Sequence, residues 1–415
     1  MNKQPSADGL LSRGTIIKTC AIMWNKLRSR LRRLLSPHQY QTRGDELGVV
    51  DKNITQLRTF KYRLFPSKAE TTRMNGMLVL LCELYNAGLQ ERREAYRLER
   101  KTIRYIDQQN QLPEIKKLRP EFNEIHSQVL QDVLRRLDKA FQAFFRRVKE
   151  RNGKVGFPRF KSRKRYDSFT YTQSGFALKD GKLRLSKIGD VRIKLHRPAR
   201  GKVKTLTVTR SATGKWYASF CVETEARPLP VSKQSVGIDV GLSHFATLST
   251  GEQIANPRFF RTDEKALGRA QRKAKQKAAR RVHERIRFRR NNFAHQLSRA
   301  LVSNYGAIFF ERLNIKGMLR NHVLAKSISD AAWNQLVQFT TYKAENAGRL
   351  CEQVDPRGTS QQCSACGEMV EKDLSQRIHD CSCGSRLDRD HNAALNILSL
   401  GLQTAGLGTK EAPSF

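Results

Sequence analysis

Between residues 60 and 65 the side chains alternate: Phe60, Tyr62 and Leu64 are apolar, Lys61 and Arg63 are charged, and Phe65-Pro66 closes the run. A period of two predicts a half-buried strand that the proline stops. From residue 68 to about 151 the period lengthens. Leu130, Val133, Leu134, Leu137, Phe141, Phe144, Phe145 and Val148 recur every three or four positions, the stripe of an amphipathic helix whose phenylalanines are expected in a core. Its other face carries Arg135, Arg136, Lys139, Arg146, Arg147 and Lys149, which suits either plain solvation or nucleic-acid contact. Past residue 155, short β-like runs at 183–185, 191–195, 203–208 and 216–222 predict a small antiparallel barrel, and 226–230 reads as a linker. Beyond it, Val236-Gly237-Ile238-Asp239-Val240-Gly241 is an apolar strand holding a carboxylate. Residues 245–248 give a second strand, 307–311 a buried strand ending in Glu311, and 387–400 a helix. Residues 261–290 hold thirteen Lys/Arg against three Asp/Glu, a helical run basic on several faces that is expected to need a polyanion nearby to pack. Residues 1–54 show no clear period and read as a solvated basic extension.

Composition turns this outline toward a partner. The 415 residues are 39% apolar with 20 Phe and 10 Tyr, enough for real cores in two or three domains. Lys and Arg number 78 against 38 Asp and Glu, a net charge of +40. A compact chain with that excess repels itself until a polyanion neutralises it, nucleic acid before an anionic membrane surface. The longest apolar stretches, 77–81 and 307–310, are far shorter than the roughly 20 residues that span a bilayer. Residues 16–24 lack the order of a signal peptide, so a reducing cytosolic location is expected. Around 156–171 aromatics interleave with cations, which makes Phe157, Arg159, Phe160, Lys161, Arg163 and Tyr171 candidates for nucleic-acid contact. Each stacked base would contribute roughly 1–3 kcal/mol.

Four of the eight cysteines are scattered, while Cys363, Cys366, Cys381 and Cys383 lie within 21 residues. In a reducing compartment such a cluster argues for metal rather than disulfides. Cys363-Ser-Ala-Cys366-Gly367 and Cys381-Ser-Cys383-Gly384 are two knuckles fourteen residues apart, and four thiolates with no open position fit structural zinc. The second pair has one intervening residue where two is commoner, which leaves His379 as an alternative fourth ligand. A second constellation is acidic: Asp239 in one strand, Glu311 ending another, and Asp388 and Asp390 at a helix start. Carboxylates from adjacent strands and a flanking helix can converge on two divalent ions about 4 Å apart and support phosphodiester hydrolysis.

Those segments, with Phe310-Glu311-Arg312-Leu313-Asn314-Ile315-Lys316, Ser327-Ile328-Ser329-Asp330-Ala331-Ala332-Trp333, Val354-Asp355-Pro356-Arg357, Thr359-Ser360-Gln361 and Asp388-Arg389-Asp390-His391-Asn392-Ala393-Ala394-Leu395-Asn396-Ile397, closely resemble the TnpB (OrfB) proteins of bacterial insertion sequences. The resemblance runs from about residue 59 to 400. It implies a fold class of α/β plus β: a RuvC-like, RNase H-type nuclease domain with an inserted zinc ribbon, preceded by a wedge β-barrel with an inserted helical recognition domain. Placed on this chain, it implies a basic extension at 1–54, the wedge barrel at 55–66 and 153–230, and the helical domain at 67–152. The nuclease domain falls at 231–355 and 385–400, the zinc ribbon at 356–384 and a tail at 401–415.

The family's activity implies an RNA-guided DNA endonuclease related to type V CRISPR effectors, with structural Zn2+ and catalytic Mg2+. Asp239, Glu311 and Asp390 match the three catalytic acids, which would also hold the magnesium. Cys363, Cys366, Cys381 and Cys383 match the zinc ligands, and Asp388 is left to support the helix start. Implied partners are a guide RNA from the chain's own element and target double-stranded DNA, without a membrane, in the bacterial cytosol at the nucleoid. Two other readings stay open: a nuclease-silent RNA-guided DNA-binding repressor, and a transposase or accessory protein of transposition.

Overall fold

The computed structural model describes residues 55–150, 155–225, 228–373 and 376–407. The basic extension at 1–54, part of the linker and the last residues of the tail lie outside them.

The described chain opens with β1 (Thr55–Phe65), in which Tyr62 and Leu64 are buried and Lys61 is exposed, as alternation requires. Helix α1 (Lys68–Glu99) starts on a capping box, the Ser67 hydroxyl accepting from the Glu70 amide and the Glu70 carboxylate from the Ser67 amide. Short helices α2 (Tyr105–Asn110) and α3 (Leu112–Leu118) lead to α4 (Ser127–Glu150). Strands β2 (Ser168–Tyr171), β3 (Phe176–Lys179), β4 (Lys182–Leu185), β5 (Gly189–Lys194), β6 (Lys202–Arg210) and β7 (Trp216–Glu225) join β1 in a seven-stranded sheet ordered β2-β6-β7-β1-β5-β4-β3. Its two edge strands, β2 and β3, are successive in sequence, so the sheet curls into a nearly closed barrel. Near the seam the Ser186 amide donates to the Gly175 carbonyl at 2.8 Å, and the Tyr171 hydroxyl donates to the Ser186 carbonyl at 2.9 Å. Gly175 sits at φ +87°, and a Cβ there would lie 2.9 Å from His126 and Tyr171. Helices and barrel share one hydrophobic core running from Met74 and Leu130 to Leu206 and Val222.

The helical stripe outruns that core. Leu130, Val133, Leu134 and Leu137 are fully buried and Phe141 nearly so, but Phe145 and Val148 are exposed and Phe144 only partly covered. Their expected burial is corrected: the last turns of α4 extend past the helices that would cover them.

The second half is built on β8 (Ser235–Asp239), β9 (His244–Leu248), β10 (Gln253–Ala255), β11 (Ala307–Glu311) and β12 (Leu350–Val354), ordered β10-β9-β8-β11-β12. Strands β8, β11 and β12 are parallel, β9 runs antiparallel to β8, and β10 runs antiparallel to β9. Helices α5 (Phe259–Arg272) and α6 (Gln276–Asn304) connect β10 to β11. After α7 (Ile315–Met318), α8 (His322–Ala331) and α9 (Trp333–Ala347), β12 follows. A two-stranded ribbon of β13 (Ile378–Asp380) and β14 (Arg386–Asp388) precedes α10 (Arg389–Thr404).

The basic run at 261–290 is two helices rather than one, broken at Ala274 (φ 48°). Its two helices pack on a seam of their own, formed by Leu267, Val282 and Ile286. Each of its three acids is ion-paired, Glu264 with Arg261 at 3.1 Å. Buried Asp263 pairs with Arg285 at 3.2 Å and Arg289 at 3.1 Å, and Glu284 takes Lys215 of the β6–β7 turn at 2.7 Å. Asp330, ending α8, accepts from the Phe260 amide in the first turn of α5 and pairs with Arg290 at 2.7 Å.

Candidate functional site

Strand parity decides where the acids point. Residues 237 and 239 share one face of β8, and 309 and 311 share one face of β11. Both faces turn to α10: a Cβ on Gly237 would lie 2.2 Å from the Ala394 carbonyl, and one on Gly401 would lie 2.2 Å from the Phe309 ring. Phe310 is in register with Ile238, so Glu311 and Asp239 end neighbouring parallel strands side by side. Asp390 occupies the first turn of α10, and its carboxylate oxygen lies 3.9 Å from where a Gly241 Cβ would stand. Asp388 is the N-cap, accepting from the Asp390 amide at 2.9 Å and the His391 amide at 3.2 Å. It holds the helix start as a capping carboxylate does, leaving Asp390 free to face the strands.

All three carboxyls are pushed above the usual carboxylate range. Burial, then the charges of Glu311 and Asp390, push Asp239 up to about 8. Burial pushes Glu311 up to about 7. Asp390 is raised by burial and by Asp388, against the pull of Arg377, Arg389 and His244. Burial favours the protonated form of such a group, and a bound cation would favour the charged one. Carboxylate oxygens are the hard donors that ions of the magnesium class take.

The cysteines converge as well. Their four sulfurs lie within 4.8 Å of one another, with Cys363 and Cys383 3.8 Å apart and Cys366 and Cys381 3.6 Å apart. A zinc–sulfur bond of ~2.3 Å in a tetrahedron requires sulfurs about 3.8 Å apart, so the cluster fits a metal such as zinc. Gly367 and Gly384 close the two knuckles at φ +82° and +89°. His379 is fully buried against Lys372, and the sulfurs close the set without it.

Two residues to which the spacing assigned no role join the centres. Asn392 accepts from the Ser364 amide at 2.9 Å and donates to the Gln362 carbonyl at 2.8 Å. Asn396 donates to the carbonyls of Thr359 and Gln362 at 2.8 and 2.7 Å. Both are buried. The knuckle that carries Cys363 is therefore bonded to the helix that carries Asp390. The available signal was two asparagines four apart on a helix face otherwise lined by Ala393, Ala394 and Ile397, where an unpaired amide would be costly.

The candidate nucleic-acid residues divide. Phe157, Arg159, Phe160, Lys161 and Arg163 are exposed, and Arg163 pairs with Glu83 at 2.6 Å. Tyr171 is corrected: it is fully buried, and its bonded hydroxyl makes it a core group of the barrel seam, with no face open to a base. Among the described residues no helix is long and apolar enough to cross a membrane.

Comparison with known proteins follows this geometry. Residues 219–322 match the OrfB_IS605 family model, described as "Probable transposase", and residues 333–397 match the one described as "Cas12f1-like, TNB domain". A relative from Streptomyces pristinaespiralis named "Putative RNA-guided DNA endonuclease" is 36% identical over 372 residues, 85% of this chain and 91% of its own. One from Escherichia coli K12, with the same name and the suffix InsQ, is 30% identical over 380 residues, 83% of this chain and 92% of its own. Among solved structures, the cryo-EM structure of a Cas12f1-sgRNA-target DNA complex is similar at 14% identity and a TM-score of 0.33, over 83% of this chain and 99% of that one.

Proposed function

Because the chain belongs to the TnpB (OrfB) family, we propose that it is an RNA-guided, magnesium-dependent DNA endonuclease encoded by a transposable element. The observation that carries this reading is the meeting of Asp239, Glu311 and Asp390 at two adjacent strand ends and one helix start. In this reading residues 231–355 and 385–400 form a RuvC-like domain, 356–384 a zinc ribbon, and 55–66 with 153–230 a wedge barrel around the helical domain of 67–152. The partners are a guide RNA from the same element and a double-stranded DNA target, met in the cytosol at the nucleoid.

Asp239, Glu311 and Asp390 would hold the magnesium ions, which when bound supply an activated water and stabilise the leaving oxygen. The residues' own work is positional. Asp239 and Glu311 are fixed by strand register, and Asp390 by the Asp388 cap and by the close approach that Gly237 permits. Cys363, Cys366, Cys381 and Cys383 would hold zinc, which Asn392 and Asn396 tie to the same helix. Basic surface grips backbones while base pairing supplies most of the sequence specificity.

Protein purified with its co-expressed RNA is expected to cut a matched DNA target only with magnesium, and Asp239→Ala to abolish cutting while RNA still copurifies. Intact cutting by that variant would remove Asp239 from the centre.

A further inference from the structure

Between α1, residues 101–106, α4 and the segment bearing Phe157 and Phe160 lies a cleft of about 1240 Å³. Small-molecule pockets measure roughly 300–1,000 Å³, so this one suits a chain better than a metabolite. Its floor is fixed. Buried Arg92 donates to Asp138 at 2.9 Å and to Gln108 at 2.8 Å, and its guanidinium lies 5.2 Å from the centre of the Phe141 ring.

Above the floor stand rings that no core covers: Tyr96 is 56% exposed, Phe145 58%, Phe157 43% and Phe160 48%. Phe157 is held edge-on by Phe141 and Phe144, with centroids 5.4 and 5.1 Å away, and the Arg93 guanidinium lies over Phe160 at 5.3 Å. A cluster of bare rings marks a binding surface. Arg93, Arg97, Lys101 and Arg104 also line the cleft and are exposed, so the occupant must offer both flat apolar faces and negative charge.

We propose that this cleft binds unpaired nucleotides of RNA, with bases stacked on Tyr96, Phe145 and Phe160 and phosphates on Arg93, Arg97 and Lys101. A second copy would set one +40 chain against another, and an apolar peptide would leave the cations unneutralised. A duplex keeps its base faces stacked inside. Ribose is favoured over deoxyribose by Glu94, an exposed carboxylate in the wall that accepts from Gln90 at 3.0 Å. It can accept from a 2′-hydroxyl, a donor that deoxyribose lacks. The source of the RNA rests on the RNA-guided reading above; the stacking does not.

The full chain, freed of nucleic acid at high salt, is titrated with a short oligouridine carrying 2-aminopurine, with DNA of the same sequence, and with the hybrid duplex. RNA is expected to bind most tightly and its 2-aminopurine emission to be quenched. Tyr96→Ala, Phe145→Ala and Phe160→Ala should each weaken RNA binding roughly 5- to 150-fold with an unchanged salt slope. Arg97→Gln should lower that slope by about one, and Glu94→Gln should narrow the difference between RNA and DNA. Circular dichroism checks that each variant folds. Near wild-type affinity in all three ring variants, or binding without quenching, would overturn the proposal. DNA bound as tightly as RNA would overturn the choice of RNA, and a concentration-dependent dimer lost in Phe145→Ala would give the face to a second copy. No arm uses metal, target or cutting, so failure here leaves the nuclease reading standing, and failure to cut leaves this one.

Discussion

A methyl group on Gly237 would stand 2.2 Å from the Ala394 carbonyl, well inside van der Waals contact, so Gly237→Ala must push α10 off the sheet. A cost of roughly 1–3 kcal/mol is expected from overpacking, seen as a lower midpoint in thermal unfolding, with Asp390 displaced and cutting lost out of proportion to stability. At the same scale, the acids make stability depend on pH. Asp239 and Glu311 ionise near 3.8 and 4.5 in an unfolded chain and near 8 and 7 when folded. Their protons therefore favour the fold. That contribution is whole below about pH 4, declines as pH rises through about 7 to 8 and is absent above. With chelator present, the unfolding midpoint is expected to fall between pH 6 and pH 8.5, and Asp239→Asn, which cannot ionise, to reduce the fall. An equal fall in the variant would place its origin elsewhere. The candidates themselves were readable from residues: Asp239, Glu311 and the four cysteines are each marked by an acid or thiol in a setting that needs a reason, while Asp390 was preferred to Asp388 on the family resemblance. Tyr171 was misread because an aromatic between cations has the same sequence signature whether it faces a base or a barrel core.

Among elements, α10 has the most to reconcile. Its start is capped by Asp388, its first turn offers Asp390, its buried face lies on Gly237 and Phe309, and Asn392 and Asn396 bind the first knuckle. Asn392→Ala leaves the Ser364 amide and the Gln362 carbonyl short of a partner, at about 1–3 kcal/mol. Elemental analysis under mild chelation is expected to show faster zinc loss than in wild type, together with weaker magnesium-dependent stabilisation. Unchanged metal retention would mean that the two centres are independent. The periods of β1, β6, β7 and α4 were legible because each has one wet and one dry face. The end of the dry stripe on α4 was not, since Phe144 and Phe145 continue the pattern after the covering helices stop. Nor was the break at Ala274, which has no glycine or proline to announce it.

On the scale of the whole molecule, charge is distributed in two ways. Buried acids such as Asp263, Glu284 and Asp330 each hold one or two cations in place, so part of the hairpin's charge is offset internally while its other cations stay on the surface. Among the described residues, further cations line the aromatic cleft. By itself, the sequence determined the periods of the elements, the excess of positive charge and the ligand chemistry, because these depend on residue type and spacing alone. Only the tertiary structure decided that three acids from residues 239 to 390 share one site, that two asparagines join it to the cysteines, and that the aromatics past Phe141 stay bare. Those outcomes depend on which faces meet, and that is settled by strand register, by glycine-permitted approach and by where one packed element ends against another.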